Sequence, residues 1–292
     1  MSGRRLARQA QSQLMPNVCI LTDSSAQFTQ PTFPGYDRVH VIPFGLQVVE
    51  RQVGLSMPGA VFQKRLLVAP SPQEFVQNYA RLGRIYDSLL VLTLSSLFSA
   101  CMSHALAASE QYRNGAVVEV MDSQTTALGL GMLVQIAAQA ASQGATLKEI
   151  DLQLRASLPR VYLLLCIPEL TYLAQSGHME YAQALVGEMM GMLPIFTFED
   201  GRLVPMEKVR TPRHLFEAFQ DFLGEFDAPA RIALVNSSGR GSLRTIPLRQ
   251  FVQDNFPDTL FTEHSIQPHL AAMFGPRSIG LVVLESTDQA RG

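Results

Sequence analysis

Three short turns concentrate hydroxyl and carboxylate side chains: Thr22-Asp23-Ser24-Ser25, Ser95-Ser96 and Asp122-Ser123-Gln124-Thr125. Each follows a short apolar run, at residues 18–21, 88–94 and 116–121. Serine, threonine and aspartate in such turns can cap helices, or they can converge on a ligand. Taken one at a time, each is an ordinary cap or turn residue. In a parallel sheet, however, the three turns share the edge formed by the carboxyl ends of the strands, where ligands of open α/β sheets bind. The helix expected after Ser95-Ser96 would add unpaired N–H groups and the positive end of its dipole. A carboxylate or phosphate could be held there without Arg or Lys. The pattern argues for a shared site and leaves the ligand open.

The elements that must position these turns alternate. Apolar runs at 18–21, 39–44, 88–94 and 116–121 interleave with helical patterns, the signature of a parallel sheet with crossover helices. Ser71, Pro72 and Glu74 supply N-cap, N1 and N3 of one helix, which carries Phe75, Tyr79 and Leu82 on one face. Further helices are expected over 99–112, ending at Asn114-Gly115, and over 127–142. A second capping box, Thr146 with Glu149, opens another. The second half reads as a strand at 161–166, helices at 168–176 and 180–190, and a hairpin around Glu199-Asp200-Gly201. A helix bearing Phe216, Phe219, Phe222 and Leu223 follows. Strands at 230–235, 260–266 and 278–284, with a helix over 244–254, complete the set. The expected architecture is α/β: a three-layer parallel-sheet domain at 17–157, then an α/β sandwich with a mixed or antiparallel sheet at 158–286. Flexible tails are expected at 1–16 and 287–292.

Composition narrows the function. A hydrophobic content of 47% with 16% charged residues supports a large core. A formal charge of −2 and the lack of a basic stripe give no footprint for nucleic acid. The longest apolar runs, such as 161–167, are too short to span a bilayer, and the first residues lack the apolar core of a secretory signal. A cytoplasmic protein without stable membrane insertion is the expectation. Cys19, Cys101 and Cys166 lie far apart in apolar stretches and read as buried thiols. The six histidines show no metal-binding spacing, so no metal is expected. No nucleophile elbow is present, and Gly239-Arg240-Gly241 reads as a plain turn. Met179, Met189, Met190 and Met192 suit either core packing or a flexible wall for an apolar chain.

With those residues in view, the sequence resembles the DegV family of fatty-acid-binding proteins. The resemblance rests on an ordered set: VCILTDSSA at 18–26, Val41-Ile42-Pro43-Phe44, Pro70-Ser71-Pro72 through Phe75, and Leu94-Ser95-Ser96 with Phe98-Ser99. It continues through residues 120–131 and 170–177, Pro194-Ile195, Asp200-Gly201 and Val209-Arg210-Thr211, covering roughly 17–286. The resemblance implies a long-chain fatty acid lying between the two domains, its tail buried and its carboxylate held by hydroxyls. It also implies a separate fatty acid kinase as partner, no cofactor beyond the bound fatty acid, and no catalysis by the chain itself.

The family's usual threonine falls here on Leu67, its arginine on His178, and its late histidine on Met273. The head group is therefore expected near Ser95 and Ser96, with His178, His269 or Arg277 compensating. Asp23, Ser24, Leu67, Asp122 and Ser123 should lie at the pocket edge, and Arg210 is the expected partner contact. The alternative reading is a small-molecule transferase or hydrolase using Asp23, Asp122 and the histidines of the same sheet edge.

Overall fold

A computed structural model describes residues 16–52, 61–113, 115–237 and 245–286. The expected tails (Pro16 aside), Asn114 of the helix stop, Arg244 of the late helix start and the turn at Gly239–Gly241 lie outside the described residues. Strands β1 (Val18–Asp23), β2 (Val39–Ile42), β5 (Ser88–Thr93) and β6 (Val117–Asp122) form a sheet in the order β2-β1-β5-β6. All its pairings are parallel. Buried on both faces, β1 and β5 each carry an unbroken run of four apolar residues, as parallel strands covered on both sides do.

Helix α1 (Pro72–Leu82) starts at the expected capping box: Ser71 accepts from the Glu74 amide, and Glu74 reaches back to Ser71. It packs Phe75, Tyr79 and Leu82 with α2 (Cys101–Gln111) on one face of the sheet. Helices α3 (Ala127–Ser142) and α4 (Leu147–Ser157) cover the other face, and Thr146 with Glu149 forms the second expected capping box. Helix α3 is buried on nearly every side because it serves two sheets. Gly131 is required there, since a side chain would run into the Gln27 carbonyl at 1.9 Å.

The chain crosses to the second sheet after a 3-10 turn at Leu158–Arg160. Strands β7 (Val161–Cys166), β8 (Leu193–Glu199), β9 (Arg202–Val209), β10 (Pro229–Asn236), β11 (Leu260–Ser265) and β12 (Ile279–Glu285) take the order β11-β10-β12-β7-β8-β9. Only β10 and β11 run parallel; the other pairs are antiparallel, so the sheet is mixed. On one face, α7 (Pro212–Leu223) buries Phe216, Phe219, Phe222 and Leu223 beside α8 (Ile246–Asn255). Each such burial is worth roughly 1.5–3 kcal/mol. On the other face, Leu128 and Met132 of α3 meet Leu163, Ala233 and Val282.

Five elements depart from expectation. Strands β3 (Gly45–Gln52) and β4 (Val61–Val68) pair as a separate antiparallel ribbon where no strands were expected. The helices at the start of the second half are shorter than expected, α5 (Thr171–Gln175) and α6 (Tyr181–Met189), joined through residues 176–180. A further short helix, α9 (Pro268–Phe274), holds Leu270, Met273 and Phe274 in the core.

Candidate functional site

Sheet topology does bring the three polar turns onto one edge, and there they bond mainly to one another. Asp23 accepts from the Ser25 amide at 2.9 Å, from the Ser25 hydroxyl at 2.5 Å and from the Leu94 amide at 2.7 Å. Burial of this carboxyl raises it above the ordinary carboxylate range despite those donors. Ser96 donates its hydroxyl to Asp122 at 2.5 Å. Ser95 binds the Thr125 carbonyl through its amide, and Ser123 binds the Thr93 carbonyl in the same way. The buried Ser123 hydroxyl turns to the Thr125 carbonyl at 3.2 Å. Asp23 is a tie between strand ends, because its oxygens face only donors within the fold.

Ser95 reaches across to the second sheet. Its hydroxyl is fully buried and donates to the Gly201 carbonyl at 2.7 Å, joining the β5 turn to the β8–β9 hairpin. Asp200 and Gly201 both hold positive φ, 47° and 79°, as a two-residue hairpin turn requires. A side chain at 201 would meet the Ser95 oxygen at 2.8 Å, so glycine is needed for the contact as well as for the turn. Helix α2 does not begin directly after Ser95-Ser96. It begins at Cys101 with Ala100 as N-cap, a turn later.

Two cavities flank this turn. The larger, about 590 Å³, is floored by Leu170, Leu173, Phe196 and Leu203 and closed on one side by Leu97 and Phe98. Arg202, Glu207 and Lys208 contribute charge to its wall. The smaller, about 360 Å³, lies between β4 and the segment running into α2; Phe44, Leu67, Leu94 and Met273 give it apolar walls. Each falls within the size range of small-molecule sites, roughly 300–1,000 Å³. Phe98 lines both. Its ring stacks on His178 at 4.1 Å between centroids and contacts Phe198 at 5.2 Å and Phe274 at 5.8 Å.

The remaining expected residues scatter. Leu67 lies in the wall of the smaller cavity, and His178 in that of the larger. Burial pushes His178 below the ordinary imidazole range. His269 instead meets Ser24, Nε2 to Oγ at 3.4 Å, while Ser24 also accepts from the Phe44 amide. Arg277 pairs with Glu169 at 3.1 Å, and Arg210 is exposed just beyond β9. Missed by the sequence reading are Phe98 as the shared wall, and Ser99 and His104, which line the smaller cavity. The clue was Phe98-Ser99 following the serine turn, with His104 one helical turn into α2. The thiols are buried, and burial pushes Cys19 and Cys166 up to about 12. Among the described residues, no group of three or more His, Cys, Asp or Glu side chains could hold a metal ion, and no helix is long and apolar enough to cross a membrane.

The fold recurs in known proteins. The DegV domain-containing protein TTE1491 of Caldanaerobacter subterraneus subsp. tengcongensis is 28% identical over 218 residues, 72% of this chain and 77% of its own length. The DegV domain-containing protein SAR1438 of Staphylococcus aureus is 25% identical over 281 residues, 93% of this chain and all of its own. Among solved structures, a fatty-acid-binding DegV family protein from Thermus thermophilus superposes with TM-score 0.76 at 20% identity, covering 92% of this chain and 100% of that one. The Fatty Acid Kinase (Fak) B3 protein of Streptococcus pneumoniae, loaded with linoleic acid, superposes with TM-score 0.74 at 15% identity, covering 92% and 100%. A sequence model described as "Uncharacterised protein, DegV family" matches residues 17–286, and the chain belongs to the DegV family.

Proposed function

We propose that this chain is a carrier of a long-chain fatty acid, which it holds between its two sheets and hands to a partner without catalysing a reaction itself. The observation that carries the reading is the pair of cavities on either side of Phe98, both with walls drawn from the two halves of the chain. Apolar cavities of this size suit a flexible hydrocarbon, and the polar groups that could do chemistry at the sheet edge are occupied in binding each other. The structural neighbours from Thermus thermophilus and Streptococcus pneumoniae are described as fatty-acid-binding and as loaded with linoleic acid. By that likeness the partner is a fatty acid kinase, with the exposed Arg210 as a contact, and the bound fatty acid serves in place of any cofactor.

Native mass spectrometry of the chain purified from a bacterial host tests the reading. A retained mass corresponding to a long-chain fatty acid is the expected result. An empty protein that turns over acyl or phosphate esters would establish the transferase or hydrolase reading instead.

A further inference from the structure

One polar side chain in the wall of the larger cavity is partly withdrawn from solvent. Arg202, Glu207 and Lys208 stand exposed along β9, where water serves their charges. His178 is only partly exposed and lines the same space as Leu170, Leu173, Phe196 and Leu203. Its ring is fixed from two directions. The His178 amide donates to the Leu173 carbonyl at 2.9 Å, and Phe98 stacks on the imidazole at 4.1 Å between centroids. Neither ring nitrogen bonds to a protein group among the described residues. Burial pushes the ring below the ordinary imidazole range, so near neutrality it is uncharged, with one N–H donor and one lone-pair nitrogen.

Water can reach both nitrogens while the cavity is open. A plain hydrocarbon filling it would displace that water and bond to neither nitrogen, leaving a half-buried polar ring unpaired. A charged group on the chain at this level would face an uncharged ring among leucines and phenylalanines, where unpaired charge is heavily penalised. A carbonyl only accepts, so it meets whichever nitrogen carries the hydrogen and no other. A hydroxyl meets either nitrogen, accepting from the N–H or donating to the bare nitrogen.

We propose, resting on the carrier reading, that the larger cavity selects an acyl chain bearing a hydroxyl group along its length, and that His178 is the residue that reads it. The hydrocarbon on either side of the hydroxyl lies on Leu170, Leu173, Phe196 and Leu203. Because the Phe98 stack holds the ring in place, the hydroxyl is read at one level of the chain, and a hydroxyl elsewhere leaves the ring unpaired. The selection acts on the body of the ligand and leaves its head group untouched.

Competition read by native mass spectrometry tests this on the full chain. Octadecanoic acid is mixed at equal concentration with each of a set of hydroxyoctadecanoic acids that differ in the position of the hydroxyl. Wild type should retain the hydroxy acid about tenfold in preference where the hydroxyl falls at the level of His178, and show no preference for the other isomers. His178→Phe keeps a ring against Phe98, and should load octadecanoic acid as wild type does while losing the preference. His178→Gln supplies a donor and an acceptor again and should recover part of it. Full loading of His178→Phe also shows that the variant is folded. Wild type that loads octadecanoic acid and prefers no isomer would overturn the selection and leave the carrier reading standing. A preference that survives in His178→Phe would overturn the role of His178. Wild type that retains none of the acids would overturn both readings.

Discussion

Phe98 stacks on His178 with ring centroids 4.1 Å apart, and Phe98 is at once a wall of the larger cavity and a wall of the smaller one. The contact joins the turn that follows β5 to the segment between α5 and α6. On the carrier reading, a hydrocarbon that reached both cavities would run past this ring.

Replacing Phe98 by Ala should merge the chambers. The ring is only partly buried, so the stability cost should fall below that of a fully buried phenylalanine, at about 2 kcal/mol by denaturant unfolding. Competition among saturated fatty acids of graded length should show a shift toward longer or bulkier chains. An unchanged length preference would mean that Phe98 is packing alone.

How far the sequence foretold this arrangement depended on whether the signal was local. Ser71 and Thr146 each sit three residues before a glutamate, and both capping boxes formed as expected, because a cap depends only on its own turn. Asp200-Gly201 likewise made its hairpin turn, since the positive φ it supplies is a property of those two residues. Strands β3 and β4 were missed because they pair only with each other, and their charged, weakly alternating sequence gives no clear period-two pattern to read. Helix α9 was too short for periodicity to register. At the site, residue types correctly marked the sheet edge, but no spacing rule could say that Ser95 would turn toward Gly201, more than a hundred residues away. Partner choice among hydroxyls is fixed by tertiary packing.

Ser95→Ala isolates that long-range choice. Removing the hydroxyl strands a buried Gly201 carbonyl and loosens the hairpin from the β5 turn. Loss of about 1–3 kcal/mol of stability is expected, with fatty-acid affinity close to wild type. Denaturant melts alongside a binding titration would read both. A large drop in affinity at unchanged stability would return the head group to Ser95.

His178 makes the fold sensitive to acid. Burial holds its folded pKa below the ordinary 6.5, so the unfolded chain takes up the proton first. Its contribution is complete above the unfolded value and is lost as pH falls from about 6.5 through the lowered native value. His178→Phe keeps a ring against Phe98 and removes the titration. Its stability should therefore fall less steeply than wild type between about pH 7 and about pH 5. Taking the difference between the two profiles cancels His40 and His264, which are also held low by burial. Parallel profiles would show that the His178 ring is solvated when the protein is folded.

Asp23 gives the opposite sign. Burial raises its folded pKa above the ordinary 3.8, so folding takes up a proton there, and the group's contribution declines as pH rises through the raised value. Asp23→Asn does not titrate, and its amide nitrogen must face one of the donors that Asp23 now receives, from Ser25 or Leu94, which strands a hydrogen bond. The variant should be less stable than wild type by about 1–3 kcal/mol in mild acid, and the gap should narrow as pH rises toward neutrality. Asp23→Ala, which strands all three donors, should cost more and unfold at lower denaturant at every pH. Chemical denaturation at a series of pH values measures the gap directly. A gap that widens with pH would show that the three donors outweigh burial and hold the carboxylate charged, in which case the tie between β1 and β5 is strongest in its ionised form.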